Sequence, residues 1–291
     1  MFPLELVKLT ELMKRTSGNP EVKIGLIDGP VVAQHPDLVS ARLQEIPGSN
    51  GAACTQANSM ACQHGTFVAG ILSAKRGSAA PAICPNCTLL IRPIFSETTS
   101  GKDYTPSATP LELASAIIAC IDAGVRIINL SLALAQPSTK GEQALEEALN
   151  QAVKRGVIVV AAAGNQGTLG SSPITRHRWV IPVMACSLVG RPLNESNLGA
   201  SIGKFGLSAP GDSITSLGAE GKTLTLGGTS VAVPFVTGAI ALLWSEFPKA
   251  TAAQIKFAVT QSSKPRRASV VPPLLDTEAA YQTLSTTNTG R

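Results

Sequence analysis

The sequence predicts an α/β fold with a central, mostly parallel sheet flanked by helices. Apolar runs rich in Val, Ile and Leu alternate with helical patterns, the signature of βαβ units. Those runs are continuous rather than alternating, as in strands buried on both faces. Aromatics make up only 4% of the chain while small and branched aliphatics abound, which suits such a sheet. At 291 residues, a single domain over residues 1–284 is long enough to bury a substantial core. The polar end, 285–291, reads as a disordered tail.

The elements follow in chain order. Val22–Ile27, Leu89–Ile94, Val125–Leu130, Val157–Ala162 and Trp179–Ala185 read as strands. Pro110 opens a helix that runs to Ala123 and stops at Gly124, the expected proline-in, glycine-out asymmetry. Glu142–Arg155 is a second helix, with Lys154 and Arg155 placed to meet its negative C-terminal end. Val231–Trp244 is apolar and uncharged, too short for a bilayer, and reads as a buried core helix. Ala252–Gln261 is a further helix. The runs Phe205–Ser208 and Lys222–Leu226 suggest antiparallel additions, and Ser40–Cys62 and Ser96–Thr109 suggest long irregular loops.

Composition narrows the function classes. The net charge is +5, and its densest cluster, Lys264, Arg266 and Arg267, reads as a solvated loop. Basic residues are not interleaved with aromatics, so no nucleic-acid partner is expected. Glu5, Lys8, Glu11, Lys14 and Arg15 interrupt any secretory apolar core near the start, and no membrane partner is expected. A cytoplasmic setting follows. Of six cysteines, Cys120 and Cys186 fall in apolar patterns as buried thiols. Cys54, Cys62, Cys84 and Cys87 sit in loops, with free thiols the leading reading ahead of local disulfides or a metal. No metal or other cofactor is expected.

Three separated segments carry the chemistry: Ile27-Asp28-Gly29, His64-Gly65-Thr66 and Gly228-Thr229-Ser230. A serine hydroxyl is a weak nucleophile that needs a base, and the base needs a carboxylate to fix its tautomer. Each segment has a plainer reading alone. Ser230 could be a helix cap after a glycine turn, and Asp28 a turn residue before Gly29-Pro30. Yet Asp28 ends a buried apolar strand, where an unpaired carboxylate is costly. Of the three histidines, His35 and His177 read as surface residues, while His64 leads a helical pattern through Val68, Ile71 and Leu72. Asp28, His64 and Ser230 are therefore the candidate catalytic set, with His64 at a helix start. Asn165, after the apolar run ending in Ala162-Ala163-Gly164, is the candidate oxyanion donor.

These segments resemble the subtilases. The order Asp…His…Ser is the subtilisin order among serine hydrolases. The resemblance extends over His64 to Gly70, Asn129 to Leu132, Ala162 to Asn165, Ala209-Pro210-Gly211 and Gly228 to Pro234. It implies a subtilisin-like three-layer fold and a serine endopeptidase acting on a peptide or protein substrate. It also implies that Ser131, Leu132 and Ala133 pair with an extended peptide, and that Ala162, Ala163 and Gly164 form a pocket wall. Ala133 and Leu134 stand where family members usually carry glycine, and Phe67 and Val231 depart from the family pattern too. Calcium loops of secreted subtilases cannot be mapped here.

Asp28-Gly29-Pro30, His35-Pro36, Cys84-Pro85-Asn86-Cys87 with Leu90 to Phe95, and Leu113 to Ile117 further resemble the subtilases of cyanobactin maturation. So do Leu9-Thr10-Glu11-Leu12 and Gly18-Asn19-Pro20. That resemblance implies removal of a leader from a ribosomally made precursor peptide. The short stretch before Asp28 leaves no room for the inhibitory prodomain of many secreted relatives. Either a propeptide has been removed or the enzyme is expected to fold without one, the second being the reading in line with an intracellular setting. The rival readings are a general degradative subtilase and a non-catalytic peptide-binding scaffold.

Overall fold

Strands rich in branched aliphatics, buried on both faces, must stack side by side with helices covering each face. A computed structural model, which describes residues 2–48, 53–95, 97, 108–132, 141–261 and 269–288, has that arrangement. Seven strands form one parallel sheet: β1 (Lys23–Asp28), β2 (Arg42–Glu45), β3 (Thr88–Pro93), β4 (Ile127–Leu130), β5 (Ile158–Ala162), β6 (Ile181–Cys186) and β7 (Leu207–Pro210). Their order across the sheet is β2-β3-β1-β4-β5-β6-β7. Every pairing is parallel, so all strand C-termini reach the same edge. A small antiparallel hairpin, β8 (Ile214–Leu217) with β9 (Thr223–Leu226), stands apart.

Helices α1 (Pro3–Leu6) and α2 (Leu9–Arg15) open the chain. On one face of the sheet lie α3 (Met60–Ser73), α7 (Thr229–Glu246) and α8 (Ala252–Gln261), packed on Leu26, Ile91, Val160 and Val183. On the other lie α4 (Pro110–Asp122) and α5 (Glu142–Arg155), packed on Ile27, Ile128 and Val159. The short α6 (Ala200–Phe205) leads into β7, and α9 (Thr277–Asn288) packs near α2 and α8. By length and composition α7 could cross a membrane, but its side chains from Val231 to Trp244 are buried within the protein. Each fully buried Leu or Phe contributes about 1.5–3 kcal/mol, so packing rather than propensity holds this β-branched helix together.

Helix ends obey local rules. Thr109 and Glu112 form a reciprocal capping box at α4, with bonds of 3.2 and 2.9 Å, and Pro110 fills the first helical position. Gly156 closes α5 in a left-handed conformation at φ 65°, which glycine adopts at little cost.

Four expectations are corrected. Leu207–Pro210 is a full parallel partner of β6, not an antiparallel addition, because Leu207 and Ala209 fill the core while Ser208 Oγ donates to the Pro272 carbonyl. Arg42–Glu45, expected as loop, forms the polar, exposed edge strand β2. Cys62 lies inside α3 rather than in a loop. Helix α9 runs through Ser285 to Asn288, into the segment expected to be a tail. Leu284 is buried, and the hydroxyls of Ser285, Thr286 and Thr287 donate to carbonyls one turn back.

Replacing Thr109 with Ala should remove the hydroxyl's bonds with the Glu112 N–H and the Glu112 carboxylate and lower stability by about 1 kcal/mol, read as a fall in denaturant midpoint at unchanged slope.

Candidate active site

Asp28 is the last residue of β1 and is fully buried. The chain turns at Gly29-Pro30, and α3 lies directly against that turn. A Cβ at Gly29 would sit 2.0 Å from the Ala61 carbonyl oxygen, and one at Gly65 would sit 2.5 Å from the carbonyl oxygens of Gly29 and Pro30. No side chain fits at either position. This mutual approach brings His64 Nδ1 to 2.7 Å from Asp28 Oδ1, across 36 positions of sequence. The same oxygen accepts from the Gly29 N–H at 2.7 Å.

His64 occupies the second turn of α3, not its start, because the helix begins earlier at Ser59. That residue's Oγ caps the helix by accepting from the Cys62 N–H at 3.2 Å. The other ring nitrogen, Nε2, lies 3.0 Å from Ser230 Oγ, 166 positions away. Ser230 is in the first turn of α7, after Gly228 at φ 116°, so its hydroxyl sits at the positive end of the helix.

Burial of the His64 ring opposes its positive charge. The Asp28 charge and hydrogen bond outweigh that, and the imidazole pKa is raised above the ordinary 6.5. An imidazole so poised can accept a proton from Ser230 Oγ while Asp28 holds the Nδ1–H tautomer.

Asn165 follows β5 and projects from an exposed loop. Its Oδ1 accepts from the Thr229 N–H at 2.8 Å and from the Thr229 hydroxyl at 2.9 Å. The Thr229 hydroxyl in turn accepts from the Gly164 N–H at 3.2 Å. With Oδ1 committed, the amide presents Nδ2 as its donor beside the start of α7, where negative charge is also favoured. The sequence signals this role of Thr229 only through its place inside Gly228-Thr229-Ser230.

The expected substrate edge follows β4. Ser131 and Leu132 are buried, and Ala133 lies outside the described residues. Ala162 ends β5, and the Ala163 N–H donates to the Val183 carbonyl of β6 at 2.9 Å, which extends the sheet toward Gly164. A chain of buried side chains that the sequence did not reveal ties this edge to the serine helix. Thr237 Oγ1 donates to Asn129 Oδ1, and Asn129 Nδ2 donates to Ser131 Oγ, both at 2.8 Å.

The cysteines depart from expectation at one pair. Cys54 and Cys62 form a disulfide that pins the strand of loop before α3. Glu97 holds the same loop by accepting from the Thr55 and Gln56 N–H groups at 3.0 and 2.9 Å. Cys84, Cys87, Cys120 and Cys186 are buried free thiols; burial pushes Cys120 up to about 12.

The sequence pattern of the subtilase family matches residues 19–286. This chain is a member of the subtilase family. It is a serine endopeptidase of the subtilisin type. Subtilisin DY of Bacillus licheniformis is 29% identical over 257 residues, which cover 88% of each chain. Against several other Bacillus and Geobacillus subtilisins at 30% identity, the chain spans 64% of their length. Among solved structures, the prenylagaramide maturation protease PagA superposes with a TM-score of 0.83 at 30% identity, covering 95% of this chain and 98% of PagA. The patellamide maturation protease PatA gives 0.75 at 30% identity, covering 92% and 98%. The subtilisin-like α/β architecture expected from the motifs is thus the observed one.

Replacing Thr237 with Val should strand the buried Asn129 oxygen and cost about 1–3 kcal/mol. Thermal unfolding checks it, and Thr237→Ser should recover most of the loss.

Proposed function

We propose that this subtilase cleaves peptide bonds through Ser230, His64 and Asp28, and that its substrate is a leader-bearing, ribosomally made precursor peptide. The observation that carries the first part is the contact of three side chains, 36 and 166 positions apart, at 2.7 and 3.0 Å. Ser230 Oγ attacks the scissile carbonyl carbon and its proton passes to His64 Nε2. The imidazolium then protonates the leaving amine as the C–N bond breaks, which leaves an acyl-enzyme. Water, deprotonated by His64, releases the acid and restores the hydroxyl. Asn165 Nδ2 and the Ser230 N–H stabilise the tetrahedral oxyanion. Such a side-chain donor is worth about 10²–10³ in kcat, a value established on subtilisin itself, a member of this family.

The precursor substrate is supported by two maturation proteases at 30% identity over nearly the whole chain. It is supported also by the motifs around Asp28, Cys84-Pro85-Asn86-Cys87 and Leu113. Ser131, Leu132 and Ala133 would take the extended peptide as an added strand, with Ala162, Ala163 and Gly164 beside the residue before the cut. The proposal sets the enzyme in the cytoplasm, where such precursors are made. The Cys54–Cys62 bridge is the feature against that setting, since disulfides are rare in reducing compartments.

Ser230→Ala should abolish labelling by a fluorophosphonate probe and lower kcat by about 10⁶, again a subtilisin value. Labelling that survives would refute the nucleophile. A leader-bearing peptide should be cut at one site far faster than casein; efficient, unselective casein digestion would favour a degradative enzyme.

Only neutral His64 accepts the serine proton, so kcat/KM should fall in acid with an apparent pKa above 6.5. Stability runs the opposite way. The raised folded pKa means His64 contributes stability fully below the ordinary 6.5, and that contribution disappears as pH rises through the folded value. In Asp28→Asn the acid limb should move to lower pH, because burial then acts unopposed.

A further inference from the structure

The loop that carries Asn165 is exposed from Asn165 to Gly170, yet an oxyanion donor is useful only if it is held in place before the reaction. Among the described residues, the hydrogen bonds of residues 166–170 run to another segment rather than within the loop. We propose that Asn197, which follows β6 in a separate segment, is the positioning residue that holds Asn165 in its working place; the proposal rests on the serine protease reading above.

The Asn197 side chain spends its whole hydrogen-bonding capacity on this loop. Its Oδ1 accepts from the Gln166 N–H, the Thr168 N–H and the Thr168 hydroxyl, each at 3.0 Å. Its Nδ2 donates to the Ala163 carbonyl at 3.2 Å and to Gln166 Oε1 at 2.7 Å. Its backbone N–H donates to the Gly164 carbonyl at 2.9 Å. Ala163, Gly164, Gln166 and Thr168 bracket Asn165 on both sides, and Asn197 touches them without bonding to Asn165. Three donors face one end of the amide and two acceptors the other, so its orientation is settled by the network.

The fit is tight. Gly164 has φ +105°, and a Cβ there would lie 2.3 Å from Asn197 Nδ2, so the amide occupies the space a side chain would need. The two segments are zipped further by the Gly167 N–H to the Glu195 carbonyl at 2.8 Å and the Gly170 N–H to the Leu198 carbonyl at 2.7 Å. Asn165 is therefore gripped from two directions. Thr229 aims its amide, and Asn197 fixes the backbone beneath it. Losing the second grip lets the donor wander by a fraction of an ångström to an ångström, a displacement that costs up to about 10²-fold in rate.

A double-mutant cycle in the full chain tests this, with Asn165→Ala, Asn197→Ala and both together, using a peptide ester and a peptide aldehyde inhibitor. Asn197→Ala should lower kcat by about 10–100-fold with KM changed less than about threefold. It should weaken the aldehyde, which forms a tetrahedral adduct, by a similar factor while leaving a product peptide's affinity unchanged. In the Asn165→Ala background the same substitution should cost less than about threefold, because its effect runs through Asn165. Equal losses in both backgrounds, or a loss confined to KM, would overturn the proposal. If Asn197→Ala does not fold, Asn197→Asp, which keeps the acceptor and loses both donors, must show the same dependence on Asn165. A wild-type chain that turns over no peptide would refute the protease reading itself; an active wild type with additive losses would refute only the role of Asn197.

Discussion

The close approach of α3 to the turn after β1 is the constraint on which the site depends. Gly29 lies against the Ala61 carbonyl and Gly65 against the carbonyls of Gly29 and Pro30, with no room for a β-carbon at either, and only that spacing lets a helix side chain reach the buried end of a strand. The contact it creates, His64 to Asp28, does two jobs at once. It pairs Oδ1 of a carboxylate that β1 carries into the interior, and it sets the tautomer and raised basicity of an imidazole facing Ser230. A buried acid without that partner would cost far more than the single hydrogen bond returns.

The parallel sheet converts this local contact into a site. All strand C-termini meet one edge, so Asp28 at the end of β1, Ser131 after β4 and Asn165 after β5 converge there without any long loop having to hold them. Helix α7 runs beneath and brings Thr229, Ser230 and Thr237, each bonded to a residue from another element. Three polar connections therefore link separate elements: Asp28 to His64 to Ser230, Thr229 to Asn165, and Thr237 through Asn129 to Ser131. Each ends on an atom that the proposed chemistry uses or on the edge where a peptide would lie. Buried polar groups of this kind are stable only when paired, so the same bonds that specify the fold also fix the site.

Much of this was legible in the sequence, for physical reasons. Fully buried parallel strands must be long apolar runs, so β1, β3, β4, β5 and β6 stood out to within one or two residues, and Pro110 with Gly124 marked α4. Asp28, His64 and Asn165 each adjoin a glycine and Ser230 follows Gly228 by two positions, a local pattern that survives without context. What stayed hidden depends on partners distant in sequence. The strand Leu207–Pro210 is too short to declare its pairing, and β2 is polar because it lies at an exposed edge. The serine and threonine residues of α9 read as a frayed tail because hydroxyl bonds to the preceding turn cannot be foreseen from composition. Cys54 and Cys62 are bridged only because α3 begins before Cys62 and turns it toward the loop. Asn197 lies in an ordinary polar stretch and gains meaning only from the loop it faces.

The proton relay itself is most directly tested by a nitrogen-15 NMR titration of the His64 ring in the wild-type chain and in Asp28→Asn. In the wild type, His64 should keep its proton on Nδ1 when neutral and titrate above the ordinary imidazole value of 6.5; without the carboxylate, it should titrate lower and lose that tautomer preference. Identical titration of His64 in both proteins, at the ordinary value and with no preferred tautomer, would contradict the idea that Asp28 and His64 act as one unit.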